Sequence, residues 1–221
     1  LYPRLESITG QPAGWHGCGG IRLATTPEEV DWFRHVAGFS ANIGFHMEVI
    51  SPARIRELNP WIKTDGILAG AWTNLDGHVD PSSACNALAA GARQMGATII
   101  RRNRVTGVTL LPSGEYRVAT EQGEITCEHL VNAAGCYARE VGKWLGVDTP
   151  ITNMQHQYLV TEPLDEFKDS EVELPVMRDP ATAGYYRQEQ KAGLIGIYEH
   201  FGSQEAWAAR GGYPDWNSEN E

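Results

Sequence analysis

The sequence predicts a mixed α/β (α+β) fold, and three observations predict it. Helical patterns with explicit start signals alternate with short apolar strand-like runs as far as residue 101. A set of short strands joined by tight turns follows. The segment His129-Leu-Val-Asn-Ala-Ala-Gly-Cys-Tyr-Ala-Arg139 then reads as a strand that breaks at small residues and starts a helix near Cys136. With 221 residues and 42% apolar content, the chain is long enough to bury a core as one large domain or two interleaved ones.

Pro27-Glu-Glu opens a helical pattern running to about Ile43, with Thr26 as N-cap and Val30, Phe33, Val36 and Ala37 on one face. Ser51 caps a second helix that has Pro52 at its first position and ends before Pro60. Ile67 to Trp72 reads as a strand, and Asn74 to Asp80 as a turn-rich loop. Asp80-Pro81 begins a third helix, in which Ala84, Ala87, Leu88, Ala92 and Met95 form one stripe and Gly96 closes the element. Ala97 to Arg101 is expected as a strand. Val105 to Leu111, Tyr116 to Thr120 and Glu124 to Cys127 are expected as a β-meander turning at Pro112-Ser-Gly114.

In the 129–139 segment, Val131 fits a buried strand, while Ala133, Ala134 and Gly135 remove side-chain bulk so that a ligand can approach the backbone. The helix that follows offers free N–H groups suited to an anion or cofactor. The same small residues also serve simply to let a helix pack, so on the residues alone both readings stand. After Pro150 the pattern changes to longer strands, Gln155 to Thr161, Gly184 to Gln188 and Leu194 to Tyr198, which belong to a different layer. The last twenty residues, rich in Gly, Trp and acids, read as a lid or loop.

A net charge of −10 without a basic stripe excludes nucleic acid as a partner on electrostatic grounds. Cys18, Cys85, Cys127 and Cys136 form no CxxC pair and are expected as reduced thiols. No window approaches the ~18 consecutive apolar residues of a membrane span, and Leu1-Tyr-Pro-Arg-Leu-Glu is neither a signal nor a transit peptide. The chain lacks an initiator Met, opens inside an amphipathic stretch and stops at Asp215-Trp-Asn-Ser-Glu-Asn-Glu221 without a closing element, which is the pattern of an internal fragment.

Gly17-Cys-Gly19-Gly20-Ile-Arg22 imitates a dinucleotide fingerprint, but Arg22 stands at the third glycine and no apolar strand precedes it, so that reading is rejected. No Walker loop, GxSxG elbow or HExxH helix occurs, and the seven His residues are scattered without ligand spacing, so no metal site is expected. Gln155-His156-Gln157-Tyr158 places a polar pair on one face of a strand and His156 with Tyr158 on the other. In Tyr185-Tyr186-Arg187-Gln188-Glu189, Tyr185 and Arg187 project one way, where a phenol beside a guanidinium can bind a carboxylate. A solvated strand end and an ordinary Arg–Glu surface pair account equally well for these two segments on spacing alone.

Several of these segments, taken in order, resemble the dimethylglycine and sarcosine dehydrogenases of the D-amino-acid-oxidase-like flavoproteins. They are Asp76-Gly-His-Val-Asp-Pro81, Ala89-Ala-Gly-Ala-Arg93, Gly96-Ala-Thr-Ile, the Val105 strand, Val131-Asn-Ala-Ala-Gly135 with Ala138-Arg-Glu-Val-Gly142, Gln155-His-Gln-Tyr158, and Tyr186-Arg-Gln-Glu189 with Gly193-Leu-Ile-Gly196. The resemblance covers about residues 1 to 205. It implies a Rossmann-like FAD domain, incomplete here and falling on residues 79–147, interleaved with a mixed β-sheet substrate domain over 1–78 and 148–221. It also implies a GxGxxG turn and a covalently flavin-linked His upstream of Leu1, and a second Gly-rich segment and, in some members, a folate-binding module beyond Glu221.

Residue by residue, the resemblance implies that Val105 meets the adenine side of FAD with its backbone. Ala133, Ala134 and Gly135 pass close to the cofactor, and Tyr137 stands where the family often has Trp. His156 resembles an active-site His beside the flavin and Tyr185 an active-site Tyr, with Tyr186 a register alternative. The implied reaction is oxidative N-demethylation of a methylated glycine by hydride transfer to flavin, with His156 and Tyr185 positioning substrate and managing protons, Arg187 a weaker carboxylate ligand, and tetrahydrofolate a possible one-carbon acceptor in the full-length protein. The electron acceptor stays unassigned. The implied location is the cytoplasm in a bacterium or the mitochondrial matrix in a eukaryote. An oxidase of another amino acid in the same group, or a noncatalytic binding fragment, are the alternative functions.

Overall fold

The computed structural model describes residues 1–151, 153, 156–168 and 172–198. These divide into two compact units, one made from residues 1–97 and 156–198, the other from residues 98–153. In chain order the first unit contributes α1 (Leu5–Thr9), β1 (Trp15–His16), β2 (Gly20–Ala24), α2 (Pro27–Asn42), β3 (Glu48–Ile50), α3 (Pro52–Leu58), β4 (Ala69–Thr73), β5 (His78–Val79) and α4 (Pro81–Gln94). The second adds β6 (Val105–Leu110), β7 (Tyr116–Thr120), β8 (Gly123–Cys127) and α5 (Ala138–Lys143). The chain returns to the first unit with β9 (Tyr158–Val160), β10 (Val176–Asp179), β11 (Gly184–Glu189) and β12 (Ala192–Ile197).

The three expected helix starts are present with the caps that the sequence announces. Thr26 Oγ1 accepts from the Glu29 amide at 3.3 Å while the Glu29 carboxylate accepts from the Thr26 amide at 3.2 Å, a reciprocal capping box at the head of α2. Ser51 Oγ accepts from the Arg54 amide and Asp80 Oδ1 from the Ser83 amide, fixing α3 and α4.

The first unit is organised by a seven-stranded sheet in the order β3-β4-β2-β10-β11-β12-β9, antiparallel throughout except for the central β2–β10 pair, which is parallel. Side chains alternate across its two faces. Ile21, Leu23, Ile50, Ile55 and Met177 form the main core on the α3 side, joined by Trp72 and Tyr186. On the other face Ala24, Ala71 and Phe33 of α2 pack together with Val30 and Val49. The amphipathic face expected of α2 is therefore the one the sheet receives.

Four expected features turn out differently. Ala97 to Arg101 and the 129–132 run are not strands, because neither pairs with a described strand, and a strand exists only through its ladder. Val131, expected inside, is 85% exposed. Along α4, Ala84 and Ala87 turn inward, with Ala87 packing against Leu5 and Ala13, whereas Leu88 and Met95 stay exposed; its partner α1 is only five residues long and cannot cover the whole stripe. The strand expected over 155–161 shortens to Tyr158–Val160, which among the described residues pairs with β12 alone. Gln155 and the last twenty residues lie outside the described residues.

The second unit carries the expected meander, β6-β7-β8, with Val108 and Val118 buried on one face. The turn at Gly135 leads through one 3-10 turn, Gly135–Tyr137, into α5. No described helix is long and apolar enough to cross a membrane.

Candidate functional site

A single row of paired residues crosses all seven strands: Val49, Ala71, Arg22, Arg178, Tyr185, Gly196 and Tyr158. Residues paired in this way share a face. The row begins apolar where α2 covers it and becomes polar at Arg22, so the sheet itself sets a hydrophobic half against a chemically active half. Beside the polar half lies a cavity of about 500 Å³ whose lining includes Arg22, His78, Arg178, Tyr185, Arg187 and Tyr198.

Tyr185 stands on the polar half of the row. Its ring covers Gly196 on the neighbouring strand, where any Cβ would overlap it, so the absence of a side chain at 196 is what lets the phenol lie there. Tyr198 stands 5.5 Å away, ring centre to ring centre, and His156 meets Tyr198 edge-on at 4.6 Å. Tyr185, Tyr198 and His156 thus form one aromatic cluster, with Tyr198 as the link that the sequence did not reveal. Burial raises the Tyr185 pKa, the neighbouring Tyr198 and Tyr158 phenols add to that, and Arg187 opposes it. Tyr185 is a hydrogen-bond donor throughout the neutral range. Tyr186 packs on the main core, with its hydroxyl 2.9 Å from Thr182 Oγ1, and both tyrosines contribute to the cavity lining.

The guanidiniums divide into two kinds. Arg187 is already engaged, at 2.5 Å from the Glu189 carboxylate and 3.2 Å from the Gln188 carbonyl. Arg22 and Arg178 are adjacent across β2 and β10, line the cavity, and have no ion-pair or side-chain hydrogen-bond partner among the described residues. Two unpaired guanidiniums next to a phenol donor have the chemistry to bind a carboxylate. The sequence hid them, because one sits in the rejected glycine-rich segment and the other within an unremarkable short strand; only the parallel pairing makes them neighbours. The glycines of that segment serve packing: a Cβ on Gly19 would overlap the Trp72 ring and one on Gly20 would crowd the Asp76 carboxylate.

The expectation that no histidines gather with metal-ligand geometry also changes. His16 on β1 and His78 on β5 are cross-strand partners, and Glu173 reaches both, 2.7 Å from His16 Nδ1 and 2.7 Å from His78 Nε2. Burial works against ionisation of Glu173, but hydrogen bonds and charge from the two imidazoles outweigh it, and its pKa is lowered. Residues so far apart in the chain carry no spacing signal.

In the second unit, the turn at 133–135 has small side chains throughout. Gly135 has φ +55, and a Cβ built on it meets no described residue within 4 Å. The glycine is required there by the backbone conformation. Ala133 is exposed and Ala134 partly so, and the bare backbone fits close approach of a planar group such as a flavin cofactor. The anion-binding half of the expectation fares less well: α5 has only six residues and a correspondingly small dipole. Asn132 steadies the turn, its Nδ2 donating to the Ala138 carbonyl and its Oδ1 accepting from the Ala134 amide. Tyr137 stands at the N-cap of α5, and Val105 opens β6 half-exposed, just before an irregularity in the β6–β7 register. The two groups of expected residues therefore lie in different units: His156, Tyr185 and Arg187 in the first, Val105, Ala133, Ala134, Gly135 and Tyr137 in the second.

Known proteins share both this sequence and this fold. The FAD dependent oxidoreductase family matches residues 1–219. The mitochondrial dimethylglycine dehydrogenase of Rattus norvegicus is 43% identical over 222 aligned positions, covering 99% of this chain and 26% of that protein. The mitochondrial sarcosine dehydrogenase of Homo sapiens is 32% identical over 200 positions, 88% of this chain and 21% of that one. The crystal structure of L-proline dehydrogenase from P. horikoshii superposes with a TM-score of 0.77 at 25% identity, over 88% of this chain and 51% of that chain. The chain spans about a quarter of the length of the curated relatives it matches.

Proposed function

The chain belongs to the FAD dependent oxidoreductase family, and from that premise we propose that it contributes the substrate-facing wall of an enzyme that oxidatively N-demethylates a methylated glycine, dimethylglycine or sarcosine. The observation that carries the proposal is the row Arg22, Arg178, Tyr185 beside a cavity of about 500 Å³, in a chain 43% identical to a dimethylglycine dehydrogenase. A methylated glycine is a carboxylate one carbon from an amine. The unpaired Arg22 and Arg178 bind the carboxylate, Tyr185 donates to it or to the amine, and His156, reached through Tyr198, takes up the ammonium proton. That proton must leave first, because a hydride departs readily only from the carbon next to a neutral amine. Holding the carboxylate fixes which N-methyl carbon faces the acceptor. Arg187, offset by Glu189, is a wall of the cavity and a secondary ligand.

FAD, when bound, supplies the hydride acceptor. We assign its contacts in this chain to Val105, Ala133, Ala134, Gly135 and Tyr137, and assign residues 79–147 to the cofactor part and residues 1–78 and 148–221 to the substrate part. The iminium left after hydride loss is captured by water or by a reduced folate in the full-length protein. The mitochondrial relatives support a matrix location in a eukaryotic source, and a bacterial source implies the cytoplasm. The test is anaerobic mixing of the full-length flavoprotein with dimethylglycine or sarcosine. Bleaching of the flavin band by either supports the reading; an unchanged spectrum with both overturns it.

A further inference from the structure

We propose that His16, His78 and Glu173 form a binding site for one divalent first-row transition-metal ion, with zinc the best match to the donor set. This reading is independent of the demethylation chemistry. The short β1–β5 ladder pairs His16 directly with His78, and their rings stack at 4.6 Å with planes 8° apart. The ladder is braced on both sides, by the Gly19 amide donating to the Asp76 carbonyl and the Asp80 amide donating to the Gly14 carbonyl. Gly77 is required there, since a Cβ would overlap the His16 carbonyl.

Glu173 arrives from elsewhere in the chain and is held by its neighbours: the Leu174 amide donates to Gln188 Oε1, and the Val176 amide donates to the Gly19 carbonyl. Each imidazole aims one ring nitrogen at a different oxygen of the same carboxylate, both at 2.7 Å, and the three ligand atoms lie within 4.8 Å of one another. Zinc bonds to imidazole nitrogen and carboxylate oxygen at about 2.0–2.2 Å, so adjacent ligands on one ion stand roughly 3 Å apart. The two nitrogen–oxygen spacings are a few tenths of an ångström tighter, and no two of the three ligand atoms are more than 4.8 Å apart. Replacing the shared protons by an ion between the two rings and the carboxylate needs a small adjustment of these side chains and releases those protons to solvent.

Two imidazoles and one carboxylate suit zinc and its first-row neighbours and disfavour magnesium or calcium, which prefer all-oxygen sets. His16 is half exposed, which gives the ion a route in and leaves a fourth position for water. Such an ion ties the β1–β5 pair to the chain entering β10, along the cavity edge where His78 stands.

The experiment is isothermal titration of tag-free, full-length protein with zinc chloride, alongside thermal melts with and without zinc and a magnesium chloride control. The expected result is about one zinc per chain, a melting temperature raised by zinc but not by magnesium, and at least tenfold weaker binding in His16→Gln and Glu173→Gln. The half-exposed His16 allows a folded variant, checked by its circular dichroism, even where the Glu173 change perturbs the fold. Absence of stoichiometric zinc binding by the unmodified protein, or unchanged affinity in a folded His16→Gln variant, overturns the proposal.

Discussion

The Tyr185 ring occupies the volume that a side chain on Gly196 would need, one strand away in direct register. Gly196→Ala therefore drives the phenol from its place while leaving the residues of the main core untouched. The expected outcome is a folded protein destabilised by ~1–3 kcal/mol, the usual range for overpacking, with substrate-dependent flavin reduction slowed far more than that loss explains. Thermal denaturation and anaerobic stopped-flow reduction, measured on one preparation, separate the two effects.

Arg22 and Arg178 are expected to carry carboxylate affinity. A hydrogen bond to a charged group contributes about 1.5–3 kcal/mol, so Arg22→Met or Arg178→Met should each raise the dissociation constant for dimethylglycine by roughly 10–100-fold. Arg187→Met should have a smaller effect, since Glu189 already occupies that guanidinium. Equilibrium titration of the flavin spectrum with a nonreactive carboxylate such as acetate reads these differences directly.

His156→Ala should slow flavin reduction by substrate at least tenfold, in keeping with the ~10²–10⁴-fold contributions of positioned acid–base groups, while flavin content is retained. Tyr185→Phe removes the donor but keeps the ring over Gly196, so it should lower the reduction rate without the stability loss of Gly196→Ala. Equal reduction rates for the unmodified and His156→Ala proteins would remove His156 from the mechanism.

Ile55 is fully buried between α3 and the sheet, in the cluster of Ile21, Leu23, Ile50 and Met177. Ile55→Ala should cost ~2–5 kcal/mol, seen as a lower denaturant midpoint.

Asp80 has its pKa lowered, chiefly by hydrogen bonding to Ser83 at the start of α4. A depressed carboxyl pKa means that the folded state favours the charged form. Its contribution is present above the unfolded pKa and is lost as pH falls through the folded value. Hydrogen exchange of the Ser83 amide should accelerate relative to its intrinsic rate as the solution is taken below the carboxylate range, and Asp80→Asn should flatten that dependence.

Local signals read well in this sequence. Thr26, Ser51 and Asp80 each announce a helix through a side chain that caps an amide three residues on, and the alternation in Tyr185-Tyr186-Arg187-Gln188 survives intact in β11. What escaped was non-local. Arg22 becomes a neighbour of Arg178 only through a parallel pairing, and His16, His78 and Glu173 meet only because a two-residue ladder lies against the approach to β10. The apolar runs at 97–101 and 129–132 look like strands by composition, yet strand formation depends on a partner, which composition does not record.

The seam between β2 and β10 has a kinetic consequence. One strand ends at residue 24 and the other begins at residue 176, so half of the seven-stranded sheet exists only after the long stretch between them has been made. During synthesis β3-β4-β2 can assemble early as an antiparallel three-stranded sheet, but its β2 edge then stands bare, with Ile21 and Leu23 short of the Met177 cover. Such an edge invites pairing with another nascent chain. Closure of this seam is the slow, long-range event in the folding of the first unit, and variants that weaken β10 lower soluble yield before they alter catalysis.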